Sequence, residues 1–528
     1  MLRRKFLKTA LPASVTIPSL LNGMSVKAFT QESPLVQALL GGTETDKVLV
    51  LVQLNGGNDG LNMVIPLEHY GNYINARKNI AIPQNKVLPL AGTVKTGLHP
   101  AMTGMQTLYN EGKVNIIQAV GYPSPNFSHF RATDIWMTAS DSDQVLTSGW
   151  AGRYLGVEYP NFPNGYPNTQ MPDPVAIQIG SVTSVTLQGP SVTMGMSISD
   201  PTSFYNFLDG VEDPVPDTPW GKELAYIRLV TEQTQIYSAV LRDAASKVAQ
   251  QASYPSDNSL AEQLKIVAKL VKGGLKTRIY MVSTGGFDTH ASQVNQIDTT
   301  TGTHAALMGR VSDAIKAFMD DLKYLEVDDR VVGMTFSEFG RRVKSNSSFG
   351  TDHGAAAPVF VFGKNVRSGI TGNNPAIPVN AANNDNVPFQ YDFRSIYASI
   401  LKQWFCVNDV DLQTIMLKNF QEIHLCINAA CKTTGLEEIV RGSGEELITN
   451  YPNPFVDKTT ITFRTKGGHT LIQVMDQMGR VIRVLTDKEY IAGVYSVSFD
   501  SHGLQNGVYY ARFQNGALQQ VRAMLKVR

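Results

Sequence analysis

Six runs of continuously apolar residues mark the long central part of the chain. They are KVLVLVQL (47–54), KVNIIQAVG (113–121), DPVAIQIG (173–180), TRIYMVST (277–284), RVVGMTFSEFG (330–340) and APVFVFG (357–363). A run that is apolar at successive positions reads as a strand buried on both faces. Between the runs lie stretches with apolar spacing near 3.6, which predict helices over 101–112, 218–251, 259–274, 304–325 and 393–405. Strand and helix alternate, so residues 45–435 are expected to form an α/β domain, a mostly parallel sheet sandwiched by helices.

The pattern changes near the end. Residues 436–447 are polar and glycine-bearing and read as a linker. Residues 448–528 carry short runs of period two, such as TTITF and YSVSF, separated by turns such as DQMGR. That is the signature of a small β-sandwich. The other end opens MLRRKFLKTALPAS, with the pair Arg3–Arg4 before a weakly apolar stretch interrupted by Pro12 and Pro18. Residues 1–30 read as a twin-arginine export signal, too short and polar for a membrane span. No other segment has the roughly 18 apolar residues that a transmembrane helix needs.

Composition narrows the function classes. With 46 basic and 45 acidic residues the formal net charge is +1, which argues against a nucleic-acid binder with a basic face. Cys406, Cys426 and Cys431 contain no CxxC pair, so a cysteine zinc site is not expected. One disulfide with one free thiol and three unpaired cysteines both remain open.

In sheets of this class, sites gather at the carboxyl ends of the strands. The first strand ends at Asn55-Gly-Gly-Asn-Asp59, whose glycine order fits neither a dinucleotide fingerprint nor a phosphate loop. Asp59 is a candidate metal ligand there. The second leads to NFSHFRATDIW, with Ser128 at a helix start, where a serine can cap the helix or serve as a nucleophile stabilised by the helix N-terminus. His129 and Arg131 are candidate anion contacts. Asp288 and His290 in GGFDTH, and Asp352 and His353 in GTDHG, pair a hard carboxylate with an imidazole, as a divalent ion requires. SEFGRR adds Glu338 as a metal candidate and Arg341 as an anion clamp, or else Arg341 and Arg342 open a solvated helix.

Together LNGGNDGLN, NFSHFRATDIW, GGFDTH, SEFGRR, GTDHGAAAP and YDFRSIY resemble the domain-of-unknown-function 1501 family, within the alkaline phosphatase and sulfatase superfamily. The resemblance implies an alkaline phosphatase-like fold and metal-dependent hydrolysis of phosphate or sulfate esters. It implies Ser128 as nucleophile, Arg341 or Arg131 steadying the anion, and Asp59, Asp288, His290, Glu338, Asp352 and His353 around a divalent Zn, Mn or Mg ion. Two departures stand out: Asn55 lies where the superfamily has a ligating aspartate, and Phe339 lies where it has a histidine. They favour an alternative, a catalytically inactive surface binding or assembly protein. NYPNPF, DQMGR and LQNGVYYARF resemble the C-terminal sorting domain of type IX secretion. Twin-arginine and type IX export machinery are then the implied partners, with an anionic ester as substrate and the cell surface or medium as destination.

Overall fold

The computed structural model describes residues 46–199, 236–427 and most of 448–527, with two short strands, Leu20–Leu21 and Met24–Ser25, before them. The linker, Cys431, the 218–235 part of the expected 218–251 helix and, apart from those strands, the expected export signal lie outside the described residues. A helix does cover 236–246. Thr45–Cys431 form one compact unit, and Lys432–Arg528 belong to another.

All six apolar runs are strands of one nine-stranded sheet. Its strands are β1 (Val48–Leu54), β2 (Val114–Gly121), β3 (Ala176–Ile179), β4 (Gly195–Ile198), β5 (Ile279–Thr284), β6 (Val331–Phe336), β7 (Ala357–Phe362), β8 (Gly369–Thr371) and β9 (Tyr391–Asp392). The order is β8-β2-β7-β6-β1-β5-β3-β4, with β9 also on β2. Every residue of β1 is buried, and its side chains divide between two apolar layers. Val48, Val50, Val52 and Leu54 enter the layer formed with α1 (Thr103–Asn110), α4 (Ser259–Lys272) and α5 (Thr303–Tyr324). Leu49 and Leu51 enter the layer formed with α2 (His129–Thr138), α3 (Trp150–Glu158) and α6 (Phe393–Gln403).

All pairings in this sheet are parallel except those of β7, which runs against both β6 and β2. The 337–356 connection contains no helix to carry a crossover, so β7 returns directly beside β6. This reversal matters for function. Gly121, Leu54, Thr284 and Phe336 end their strands at the edge where Ala357 begins β7. A loop preceding β7 therefore joins loops that follow the other strands. Sequence periodicity missed the three-stranded antiparallel sheet of Val64–Pro66, Leu88–Leu90 and Thr93–Leu98, because its strands are too short and irregular to show a period.

The C-terminal unit consists of two antiparallel sheets. One has Ile448–Tyr451, Lys458–Thr465 and Gly493–Asp500; the other has Gly468–Met475, Val481–Tyr490, Gly507–Asn515 and Leu518–Lys526. The expected alternation holds: Ile461, Phe463, Ile472, Val474, Phe499 and Phe513 share one buried core. Asp476 and Arg480 close the DQMGR turn, Asp476 N donating to Arg480 O at 3.0 Å. Of the cysteines, Cys406 is disulfide-bonded. Cys426 is a free thiol that burial pushes up to about 12.

Candidate metal and catalytic centre

Four loops meet above the edge shared by β1, β2, β5, β6 and β7. The β1 loop turns on Gly56 and Gly57, with φ of 124° and 72°. A Cβ on Gly56 would stand 2.3 Å from Asp288 N, and one on Gly57 would stand 2.1 Å from the Phe339 ring. Both positions therefore exclude side chains for two reasons, backbone conformation and space. The turn brings its own amide to the site: Gly56 N donates to Glu338 Oε1 at 2.8 Å.

Asp288 is the hub. Its carboxylate oxygens lie 3.4 Å from His129 Nε2, 3.1 Å from His290 Nε2 and 3.2 Å from His353 Nε2. Adjacent donors in a tetrahedral zinc site are roughly 3.3 Å apart. Donor atoms of His129, Asp288 and His353 all fall within 4.8 Å of one another, a set that could hold a metal ion. Each imidazole has an acceptor at its other nitrogen. His129 Nδ1 is 2.8 Å from Glu338 Oε1, His353 Nδ1 is 2.7 Å from Phe127 O, and His290 Nδ1 is 3.4 Å from Asp352 Oδ1. A carbonyl only accepts, so His353 Nδ1 carries the proton and Nε2 presents a lone pair. The same reasoning with Asp352 holds for His290. The two Nε2 atoms then face each other at 2.8 Å, an arrangement that a cation between them would relieve. Carboxylate or carbonyl acceptors that orient imidazoles from behind are the usual second layer of a metal centre, and this donor chemistry fits one.

The electrostatics agree. Burial works to raise the Asp288 carboxyl, but the hydrogen bond and the charge of the Arg341 guanidinium hold it down at about 2. Burial keeps the His353 imidazole below its ordinary range. Hydrogen bonding from Asn346 holds Asp352 low. The carboxylates are thus anions and His353 tends to the neutral form, the states in which these groups ligate. Phe339 floors the cluster, its ring centroid 4.9 Å from that of His129 and 4.5 Å from that of His353.

Asp288, His290, Asp352 and His353 are therefore brought together, with His290 and Asp352 on the exposed side. Ser128 immediately precedes His129 as the N-cap of α2; it is exposed, and its side chain makes no capping hydrogen bond. Four expectations change. Asp59 is not at the cluster but fully buried against Arg77, with Oδ2 2.6 Å from Arg77 Nη1, because the β1 turn points it inward. Glu338 is occupied by Gly56 N and His129, so its Oε1 backs the His129 imidazole instead of facing the cluster. Arg341 is no free anion clamp and opens no helix: it is buried, donating to the carbonyls of Gly56, Gly57, Phe287 and Thr351 and to Asp288. Arg131 likewise turns to Asp134 and to carbonyls of the 141–144 turn. His129, expected as an anion contact, instead turns Nε2 toward Asp288 and groups with Asp288 and His353; its place one residue after Ser128, at the same sheet edge, is the sequence signal for this.

Residues 227–405 match the family model described as "Protein of unknown function (DUF1501)", a span that encloses Asp288, His290, Glu338 and His353. Residues 449–526 match the secretion system C-terminal sorting domain. No curated protein sequence matches the chain. Among solved structures it is similar to a protein in the alkaline phosphatase superfamily from Vibrio parahaemolyticus, at 10% identity over 92% of this chain and 83% of that one, TM-score 0.32. It is also similar to the PsFucS1 sulfatase from Pseudoalteromonas sp., at 12% identity over 89% and 87%, TM-score 0.30. Among the described residues no helix is long and apolar enough to cross a membrane. The chain thus joins a region that matches the DUF1501 model to a sorting domain that marks it for export to the cell surface or the medium.

Proposed function

We propose that this exported protein is a hydrolase of phosphate or sulfate esters with one metal centre. The observation that carries the reading is the convergence of His129, His290 and His353 Nε2 on the Asp288 carboxylate, with His129 directly following an N-cap serine whose hydroxyl makes no capping bond. Two imidazoles and one carboxylate, from His129, His353 and Asp288, with His290 alongside, suit a zinc-class ion better than Mg, which prefers an all-oxygen shell. When bound, such an ion would polarise the ester and favour an oxygen nucleophile at neutral pH.

The chain's own residues have separate tasks. Ser128 Oγ bonds to phosphorus or sulfur as the alcohol leaves with its oxygen and takes up the serine proton; water then frees the anion and restores the serine. The open N-terminus of α2 favours the negative charge that develops beside it. Arg342 takes the anion-contact role that Arg341 and Arg131 cannot. Its guanidinium stacks 4.8 Å over Phe127, next to Ser128, and among the described residues only Nη1 is bonded, to Asn384 O.

The test is metal content and turnover of 4-nitrophenyl phosphate and sulfate, for the parent and Ser128→Ala. The expected result is equal metal content with turnover lost in the variant. Unchanged turnover in folded Ser128→Ala removes the nucleophile assignment. A second reading, a non-catalytic surface binding protein, is favoured by one observation: Asp59 and Glu338 are committed elsewhere, and Phe339 fills the place of a further donor. Metal retention without turnover of any ester would support it.

A further inference from the structure

We infer that Gln293 is a positioning residue whose buried amide locks the Asp288–His290 loop to the Asp352–His353 loop, so that their donor atoms meet. The effect on metal binding rests on the reading above; the lock itself does not. Gln293 is fully buried, and its side chain bonds to three separate parts of the site's foundation. Its Oε1 accepts from Thr289 Oγ1 at 3.0 Å and from Thr351 Oγ1 at 3.1 Å. Its Nε2 donates to Asp59 Oδ2 at 2.6 Å.

Thr289 separates Asp288 from His290, and Thr351 immediately precedes Asp352 and His353. One amide oxygen therefore holds the residue inside each donor pair's backbone neighbourhood. The same two threonines share a backbone bond, Thr351 N to Thr289 O at 3.1 Å. The loops also touch so closely that a Cβ on Gly350 would lie 2.3 Å from His290 O. Only an amide satisfies all these partners, since its oxygen accepts two hydroxyls while its nitrogen donates to a carboxylate. A glutamate would set a second carboxylate against Asp59, and an apolar side chain would leave three buried polar atoms short of a partner.

The lock is anchored below. Asp59 is gripped by Arg77, whose Nε and Nη2 reach Val343 O at 2.8 Å and Arg342 O at 2.7 Å. Asp59 thus acts on the donor cluster at one remove, through Gln293. Arg341 fixes the backbones of the same loops, while Gln293 fixes their threonine side chains.

The experiment uses full chains of the parent, Gln293→Met, Thr351→Val and the double variant, each freed of metal. Amide hydrogen exchange is followed in residues 287–293 and 349–353, then Zn2+ affinity and the visible spectrum with Co2+ are measured. Gln293→Met is expected to speed exchange in both loops, weaken Zn2+ binding about 10- to 100-fold and alter the Co2+ bands. Thr351→Val should act in the same direction but less, and the double variant should lose no more than Gln293→Met alone. Leu264→Ala, a core change away from the loops, should lower stability yet leave Zn2+ affinity and the Co2+ spectrum unchanged. Faster exchange confined to 287–293, or parental Zn2+ affinity in folded Gln293→Met, would overturn the inference. If Gln293→Met does not fold, Thr351→Val decides by the same two readouts. A parent that binds no Zn2+ removes the metal reading and the positioning role with it, and the exchange result then judges the lock alone.

Discussion

Arg77 and Asp59 form an ion pair with no accessible side-chain surface on either partner. Burial raises the Asp59 carboxyl, and the charges and hydrogen bonds of Arg77, with His304 and Gln293, more than reverse it. Removing one partner strands the other charge in the interior. Arg77→Met should therefore cost about 3–5 kcal/mol, read as a lower urea midpoint at unchanged slope. Gly57 offers a second test at this scale. Gly57→Ala drives a methyl into the Phe339 ring that floors the cluster, on a backbone with φ of 72°. Gly92→Ala has a similar φ of 81° but open space around its Cβ. The first should lower both stability and Zn2+ affinity; the second should cost about 1 kcal/mol of backbone strain and leave Zn2+ binding intact.

Among the elements, β7 decides most. Its reversal places the Asp352–His353 loop, which precedes a strand, at the edge where the other loops follow strands. The pairing depends on a glycine: Gly333 in β6 lies opposite Phe362, and a Cβ there would stand 2.2 Å from the Phe362 ring. Gly333→Val should push β7 from β6, destabilise by roughly 1–3 kcal/mol and weaken Zn2+ binding in parallel, measured by thermal melting and metal titration. The apolar run 357–363 announced a strand but not its direction, because a buried strand reads the same either way. α2 was better marked. A serine before HFRATDIW identified the helix start, and the structure has Ser128 as its N-cap.

For the whole molecule, two buried histidines contribute to the response to mild acid. Burial pushes His99 down to about 3 and His304 down to about 4, against an ordinary value near 6.5. Between about pH 6.5 and pH 4 the unfolded chain binds these protons and the folded chain does not, so stability falls as pH falls through that window. Urea midpoints of the metal-free protein should drop from pH 7.5 to pH 5, and His99→Phe should flatten the dependence. The division of the chain gives another expectation. The Thr45–Cys431 unit has its own two-layered core, so deleting 449–526 should leave its melting temperature unchanged while abolishing delivery to the surface or medium.

The sequence by itself determined the six buried strands, the alternation with helices, the C-terminal sandwich and the export mark. These are local patterns: period, turn chemistry and short motifs survive in any neighbouring stretch of chain. It also put Asp288, His290 and His353 on one edge, since strand ends are legible and the motifs sit there. Only the tertiary structure decided which polar side chains gather at the cluster, which back it and which are buried beneath it. His129 meets Glu338 across 209 residues, Asp59 meets Gln293 across 234, and Arg341 reaches Gly56 across 285. A carboxylate or guanidinium looks the same in sequence whether it faces an ion, a carbonyl or a buried countercharge. Its partner is chosen by how distant loops pack, and that choice separates Asp288 from Asp59.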